Sequence, residues 1–189
     1  MKKRIILLLL ICSSSIFINA QSIKNINLQK STITWEGSKL FSFGKHDGTV
    51  KFTSGFFKLY NDKIVGGEFI VNMKSIASNE NKKWATKLVN HLKDEDFFNV
   101  KKYPTTKIIF TNVKHVDDGY MQITADLTIH EITNSVFFVA KLNDVKTQFE
   151  TRLKIDRTDW NITYKSKGKT SIKDHIISDA ISFEINLNF

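Results

Sequence analysis

The 189-residue chain has one proline, Pro104, and one cysteine, Cys12. Cys12 falls in an N-terminal segment with the marks of an export signal. Met1-Lys2-Lys3-Arg4 is basic, Ile5 to Ile11 is purely apolar, and Asn19-Ala20-Gln21 offers a small-residue cleavage site after Ala20. The apolar run is too short for a spanning helix, which needs about 20 residues. A lipoprotein cysteine follows a small residue, whereas Cys12 follows Ile11 inside the run. Residues 1–20 are therefore expected to leave as a signal peptide, and Cys12 with them. The mature chain, 21–189, is expected in the periplasm or secreted. With no cysteine left it cannot be disulfide-stapled, and cysteine catalysis and thiolate metal sites are excluded. Its 169 residues (189 less 20) suit one domain that buries about 70% of its unfolded surface.

Charge of one sign does not dominate. Removing Lys2, Lys3 and Arg4 from the 28 basic residues leaves 25 against 19 acidic, a net +6. The lysines are spread along the chain and interleaved with acids, which describes a solvated surface rather than a nucleic-acid footprint. Nucleic acid is not an expected partner, and membrane contact is at most peripheral. Catalytic signatures are also missing. There is no G-x-S-x-G, P-loop or G-x-G-x-x-G. The five histidines, His46, His91, His115, His130 and His175, show no i, i+4 zinc spacing. The acidic run Asp94-Glu95-Asp96 reads as a solvated turn after a helix, and Asp156-Arg157 as a structural ion pair or turn. No catalytic residue, metal or cofactor is expected, and no enzyme.

What is present is alternation. Ser31–Ser38 places Ile33 and Trp35 on one side and Thr32, Thr34 and Glu36 on the other, a half-buried strand. Thr49–Tyr60 is β-rich, with a bulge or bend at Ser54-Gly55. Asn61-Asp62 turns into Ile64–Met73, where Val65, Phe69, Val71 and Met73 share a face and Gly66-Gly67 signals a kink or close backbone approach. After Pro104, strands are expected at Lys107–Val116, Tyr120–His130, Thr133–Leu142, Val145–Asp156 and Ala180–Phe189. Asp117-Asp118-Gly119, His130-Glu131-Ile132 and Asn143-Asp144 supply the turns. Residues 21–30 read as a polar lead-in, and Arg157–Ser178 as a polar segment with a helical turn. Between the third and fourth strands the period changes. Trp84, Leu88 and Leu92 recur at i, i+4, i+8, an amphipathic helix over Lys82–Lys93 with Asn79 or Asn81 as its cap.

That makes eight strands and one helix. Short turns make consecutive strands antiparallel neighbours. Each strand has one apolar and one polar face, and closure into a barrel removes the edges. An eight-stranded barrel is either filled by side chains or holds one small ligand, and alternation does not decide which.

Three stretches carry a family resemblance: HLKDEDFFNVKKYPTTKIIF (His91–Phe110), DLTIHEIT (Asp126–Thr133) and DRTDWNI (Asp156–Ile162). With GEFIVNMKSI (Gly67–Ile76) before the helix, the mature chain resembles the YceI-like family of bacterial exported proteins. The resemblance implies an all-β, lipocalin-like antiparallel barrel with a helix across it. It also implies that the barrel binds a polyisoprenoid, quinone or fatty-acid-like lipid, often in a homodimer. The chain departs from the family at Glu131 and Asn161, where the family usually has glycine. A turn needing positive φ is strained at Glu131 and milder at Asn161. The apolar faces nominate a ligand lining of Phe52, Phe69, Val71, Phe110, Ile123, Leu127, Phe138, Phe149, Leu153, Phe183 and Ile185. Two other readings stand beside the lipid carrier. One is an eight-stranded outer-membrane barrel with its apolar face outward. The other is a filled-barrel, stress-associated interaction module. Phe97 and Phe98 are expected to anchor the passage from helix to barrel, with Tyr103-Pro104 biasing the chain toward extended entry into the next strand.

Overall fold

The alternating segments close into an antiparallel barrel. The computed structural model describes residues 21–39, 44–169 and 176–189. The signal-peptide reading of 1–20 lies outside the described residues, as does His175. The strands are β1 (Gln21–Asn25), β2 (Thr32–Ser38), β3 (Lys45–Tyr60), β4 (Lys63–Ser78), β5 (Thr105–His115), β6 (Tyr120–Ile129), β7 (Ile132–Leu142), β8 (Gln148–Asp156) and β9 (Ala180–Asn188). One helix, α1 (Lys82–Lys93), joins β4 to the β5 approach. Strands β2, β9, β8, β7, β6, β5, β4 and β3 pair in that order, and β3 returns to β2. The ring is thus the expected eight strands.

The strand β1 is additional. Residues 21–25 pair with the far half of β3, Gln21 opposite Tyr60 and Asn25 opposite Phe56. The reading of 21–30 as a lead-in missed this because the five residues are exposed and carry no alternation. They extend the line of β2, which occupies the near half of β3 with Ile33 opposite Val50. Between them the Asn27 side chain accepts from the backbone N–H groups of Gln29 and Lys30, forming a local turn.

The apolar faces turn inward. Met121, Ile123, Ala125, Leu127 and Ile129 of β6 are all buried, as are Phe149, Leu153 and Ile155 of β8. Glu150, Arg152 and Lys154 stand on the outside. This is the reverse of an outer-membrane barrel, whose lipid-facing surface is apolar, and it overturns that alternative.

Local readings differ from the structure in three places. In β4 the buried residues are Ile64, Gly66, Gly67, Phe69, Met73 and Ile76, while Val65 is exposed. A register shift against Lys58-Leu59 moves Val65 to the outer face, so it does not share a face with Phe69. Strand β8 starts at Gln148, not Val145. Asn143 accepts from the N–H groups of Thr147 and Gln148, which widens the turn and leaves Val145 73% exposed. Strands β7 and β8 pair only at Ala140–Leu142 against Phe149–Thr151, next to that turn. Beyond that short ladder a 3₁₀ turn, Arg157–Trp160, packs against β7, with the Trp160 indole donating to the Leu127 carbonyl. Finally, α1 forms as expected, with Asn81 accepting from the Trp84 N–H, and Leu88 and Leu92 pack inward. Trp84 does not join them. It is 57% exposed, with the Lys87 ammonium over its ring.

The two turns where the family has glycine both adopt positive φ. His130 and Glu131 form a two-residue hairpin between Ile129 and Ile132 with φ of 52° and 61°, the positive pair of a type I′ turn. Asn161 sits at φ 60°, where asparagine is tolerated.

Candidate functional site

The barrel is filled at one end and hollow at the other. A cavity of about 250 Å³ occupies the half nearest α1. The filled end begins at an aromatic cluster. Phe57 of β3 is fully enclosed, its ring centroid 5.1 Å from Phe69, 5.2 Å from Phe149 and 4.7 Å from Phe189. Phe110 lies 5.3 Å from Phe69 and 6.0 Å from Phe149. Centroid separations of about 4.5–7 Å with tilted planes are the favoured arrangement for such rings. Phe69, Phe110 and Phe149 face the cavity, and Phe57 lies behind them. Gly55 and Gly67 make room for Phe69. A Cβ at Gly67 would stand 2.9 Å from the Phe69 ring, and one at Gly55 2.5 Å from it. The expected close approach at Gly66-Gly67 is therefore this packing, at Gly67.

Phe52, Phe69, Val71, Phe110, Leu127, Phe138, Phe149, Leu153, Phe183 and Ile185 all line the cavity. Ile123 does not. It is fully buried at the filled end of β6, where only the later inward positions Leu127 and Ile129 reach the hollow half. Periodicity gives the face of a residue but not its height along the barrel. Sequence reasoning also missed lining from β2, the end of β4 and the cover: Ile33, Trp35, Met73, Ile76, Leu88, Leu92, Phe97 and Phe98. The 3.6-residue period of α1 was the available signal for Leu88 and Leu92.

The lining's charged groups gather near the helix end. Lys39, His46, His91 and Arg157 are there, with Ser38 and Ser178. Backbone bonding holds this rim together: the Ser178 N–H donates to the Ser38 carbonyl, and Lys39 bridges Ile177. His46 pairs with Glu80 at 2.9 Å. The ring of His91 packs on Tyr164 and Phe97, at 4.7 and 5.8 Å.

Arg157 is the organising residue of this end. Its side chain is fully buried. The guanidinium donates to the carbonyls of Ser178, Ile162 and Ile177 and to Asp179 at 3.0 Å. Its carbon lies 5.3 Å from the centroid of Phe97, a cation–π contact. Burial pushes its pKa below the ordinary guanidinium value, and Asp179 and then Asp156 pull it back up. The ion-pair partner is thus Asp179, not the adjacent Asp156. Asp156 instead accepts from Thr158 and caps the 3₁₀ turn. Asp94, Glu95 and Asp96 are exposed in the turn after α1. Among the described residues, no group of three or more histidine, cysteine or acidic side chains gathers as a metal site would require.

Two of the three stretches that carried the resemblance thus build the cover and the buried cation, and the profile of the YceI-like domain matches residues 25–189. The chain belongs to the YceI-like family. A UPF0312 protein of Pseudomonas putida is 34% identical over 116 residues, which is 61% of this chain and 58% of that protein. A UPF0312 protein of Photorhabdus laumondii is 32% identical over 96 residues, 47% of this chain and 50% of the relative. The matched part therefore spans little more than half the length of these curated relatives. Among solved structures, BcnA of Burkholderia cenocepacia superposes with a TM-score of 0.69 at 16% identity, covering 86% of this chain and 98% of its own. The Campylobacter jejuni YceI protein superposes with a TM-score of 0.51 at 20% identity, covering 67% and 74%. At these identities the structural likeness is one of fold.

Proposed function

We propose that this YceI-like barrel is an exported carrier that holds a long-chain amphiphile, of the polyisoprenoid, quinone or fatty-acid kind, in its hollow half. The observation that carries the reading is the apolar cavity between the aromatic floor and the α1 cover. Space of that kind is costly to leave among apolar walls, since each missing contact forfeits packing energy. A chain of methylenes or isoprene units recovers it at about 0.8 kcal/mol per buried CH₂. The polar residues at the helix end give the ligand an orientation: tail toward Phe110 and Phe149, head toward Ser38, His46 and Arg157. The cavity of about 250 Å³ lies just under the ~300–1,000 Å³ usual for drug-sized ligands. It therefore encloses one tail segment, with the head and any longer chain emerging at the α1 end.

Native mass spectrometry and organic extraction of the purified mature protein test this. A co-purifying long-chain molecule is expected. Protein that is repeatedly empty and takes up neither quinones nor fatty acids refutes the carrier and favours the interaction module. N-terminal sequencing of the secreted form checks cleavage after Ala20, and sedimentation checks the homodimer that the family resemblance implies.

A further inference from the structure

The hollow half does not continue through the barrel, because the aromatic cluster stops it. We propose that the floor formed by Phe69, Phe110 and Phe149, backed by Phe57, is a ruler that sets how much of a tail the barrel buries. The inference rests on the carrier reading and adds a specificity determinant to it.

The floor is built to resist displacement. Phe57 is fully enclosed and touches all three floor rings, so none can tilt downward without moving it. Behind it lie Ile64, Met121 and Ile123, each no more than 1% exposed. Phe69 packs on backbone at Gly67 below it and at Gly55 beside it rather than on yielding side chains. Close-packed interiors of this kind deform in discrete steps, not continuously. A growing tail should therefore gain roughly fourfold in affinity per methylene until its end meets the floor. Beyond that length the gain should stop. Val71 stands two residues above Phe69 on the same inward face of β4 and lines the cavity wall. A larger side chain there raises the floor, whereas a smaller one at Phe110 lowers it.

The test is calorimetric titration of delipidated mature protein with octanoic, lauric, palmitic and stearic acids. Wild type, Val71→Phe and Phe110→Ala are compared. Wild-type affinity is expected to climb and then level. Val71→Phe should level at a shorter acid and Phe110→Ala at a longer one. Val71→Phe adds bulk into existing space, so it decides the matter alone if Phe110→Ala fails to fold. A levelling point that stays at the same acid in Val71→Phe overturns the ruler and leaves the carrier intact. Failure of wild type to bind any of the acids overturns the ruler, and failure with quinones as well overturns the carrier.

Discussion

Replacing Phe97 with alanine tests whether the cover is held where the geometry places its anchor. Phe97 is 5% exposed, packs 5.4 Å from Phe98 and 5.8 Å from His91, and carries the Arg157 guanidinium 5.3 Å from its centroid. Truncating a buried phenylalanine costs about 3–5 kcal/mol. One side of this ring faces the cavity, so fewer contacts are lost, and the lower end, about 3 kcal/mol, is expected. For a domain of this size each kcal/mol moves the melting temperature by about 2–4 °C, giving a fall of roughly 6–12 °C. Phe98 is only half-buried and should cost about half as much. Phe137 is 62% exposed on the outer face of β7, and its alanine variant should stay within about 0.5 kcal/mol of wild type. Urea unfolding followed by circular dichroism measures all three. Equal losses for Phe97→Ala and Phe137→Ala would refute the reasoning, because the anchor would then carry no more weight than a surface ring. A double-mutant cycle with Arg157→Met isolates the cation–π part, worth up to about 2 kcal/mol where desolvated.

Glu131→Gly should stabilise the fold by about 0.5–1 kcal/mol in the same assay. It relieves a left-handed conformation costing ~1–2 kcal/mol against glycine's extra chain entropy. Gly48→Ala should destabilise by about 1–3 kcal/mol or prevent folding, because the new Cβ would lie 1.9 Å from the Ala77 carbonyl oxygen. A thermal melt matching wild type would contradict that approach of β3 to β4. Trp160→Phe removes the donor to the Leu127 carbonyl and should cost about 1–3 kcal/mol. Trp84→Phe, on an exposed ring, should leave the urea midpoint unchanged.

The alternation of β6, β8 and β9 was legible from residue order alone, because a strand facing a core on one side must repeat every two residues. So were the span of α1, the turn at His130-Glu131 and an irregularity near the middle of β3, although its register shift falls between Phe52 and Ser54 rather than at Ser54-Gly55. Short turns and one-sided alternation also led to a closed barrel, and the three family stretches added its hydrophobic cargo as an expectation. What lay beyond reach was anything set by partners distant in the chain. Val65 alternates correctly with Phe69, but a register shift against β3 puts it outside. The helical period pairs Trp84 with Leu88, yet only the placement of α1 against the barrel decides which residues it covers. Asp156-Arg157 read as a local ion pair or turn, and the turn is present, capped by Asp156, while the ion pair is not. The burial of Arg157 among the Ile162, Ile177 and Ser178 carbonyls and its pairing with Asp179 exist only once β9 returns beside β8.

The same division runs through the cavity. The sequence determined which side chains face inward, because that follows from two-residue periodicity along each strand. Whether those side chains meet or leave a space was decided by tertiary structure alone. Phe57, Phe69, Phe110, Phe149 and Phe189 come from four strands and the C-terminus. Their convergence toward one end closes the barrel there and leaves the α1 half open. Height along the barrel depends on strand stagger, a property of pairs of strands and not of any one of them.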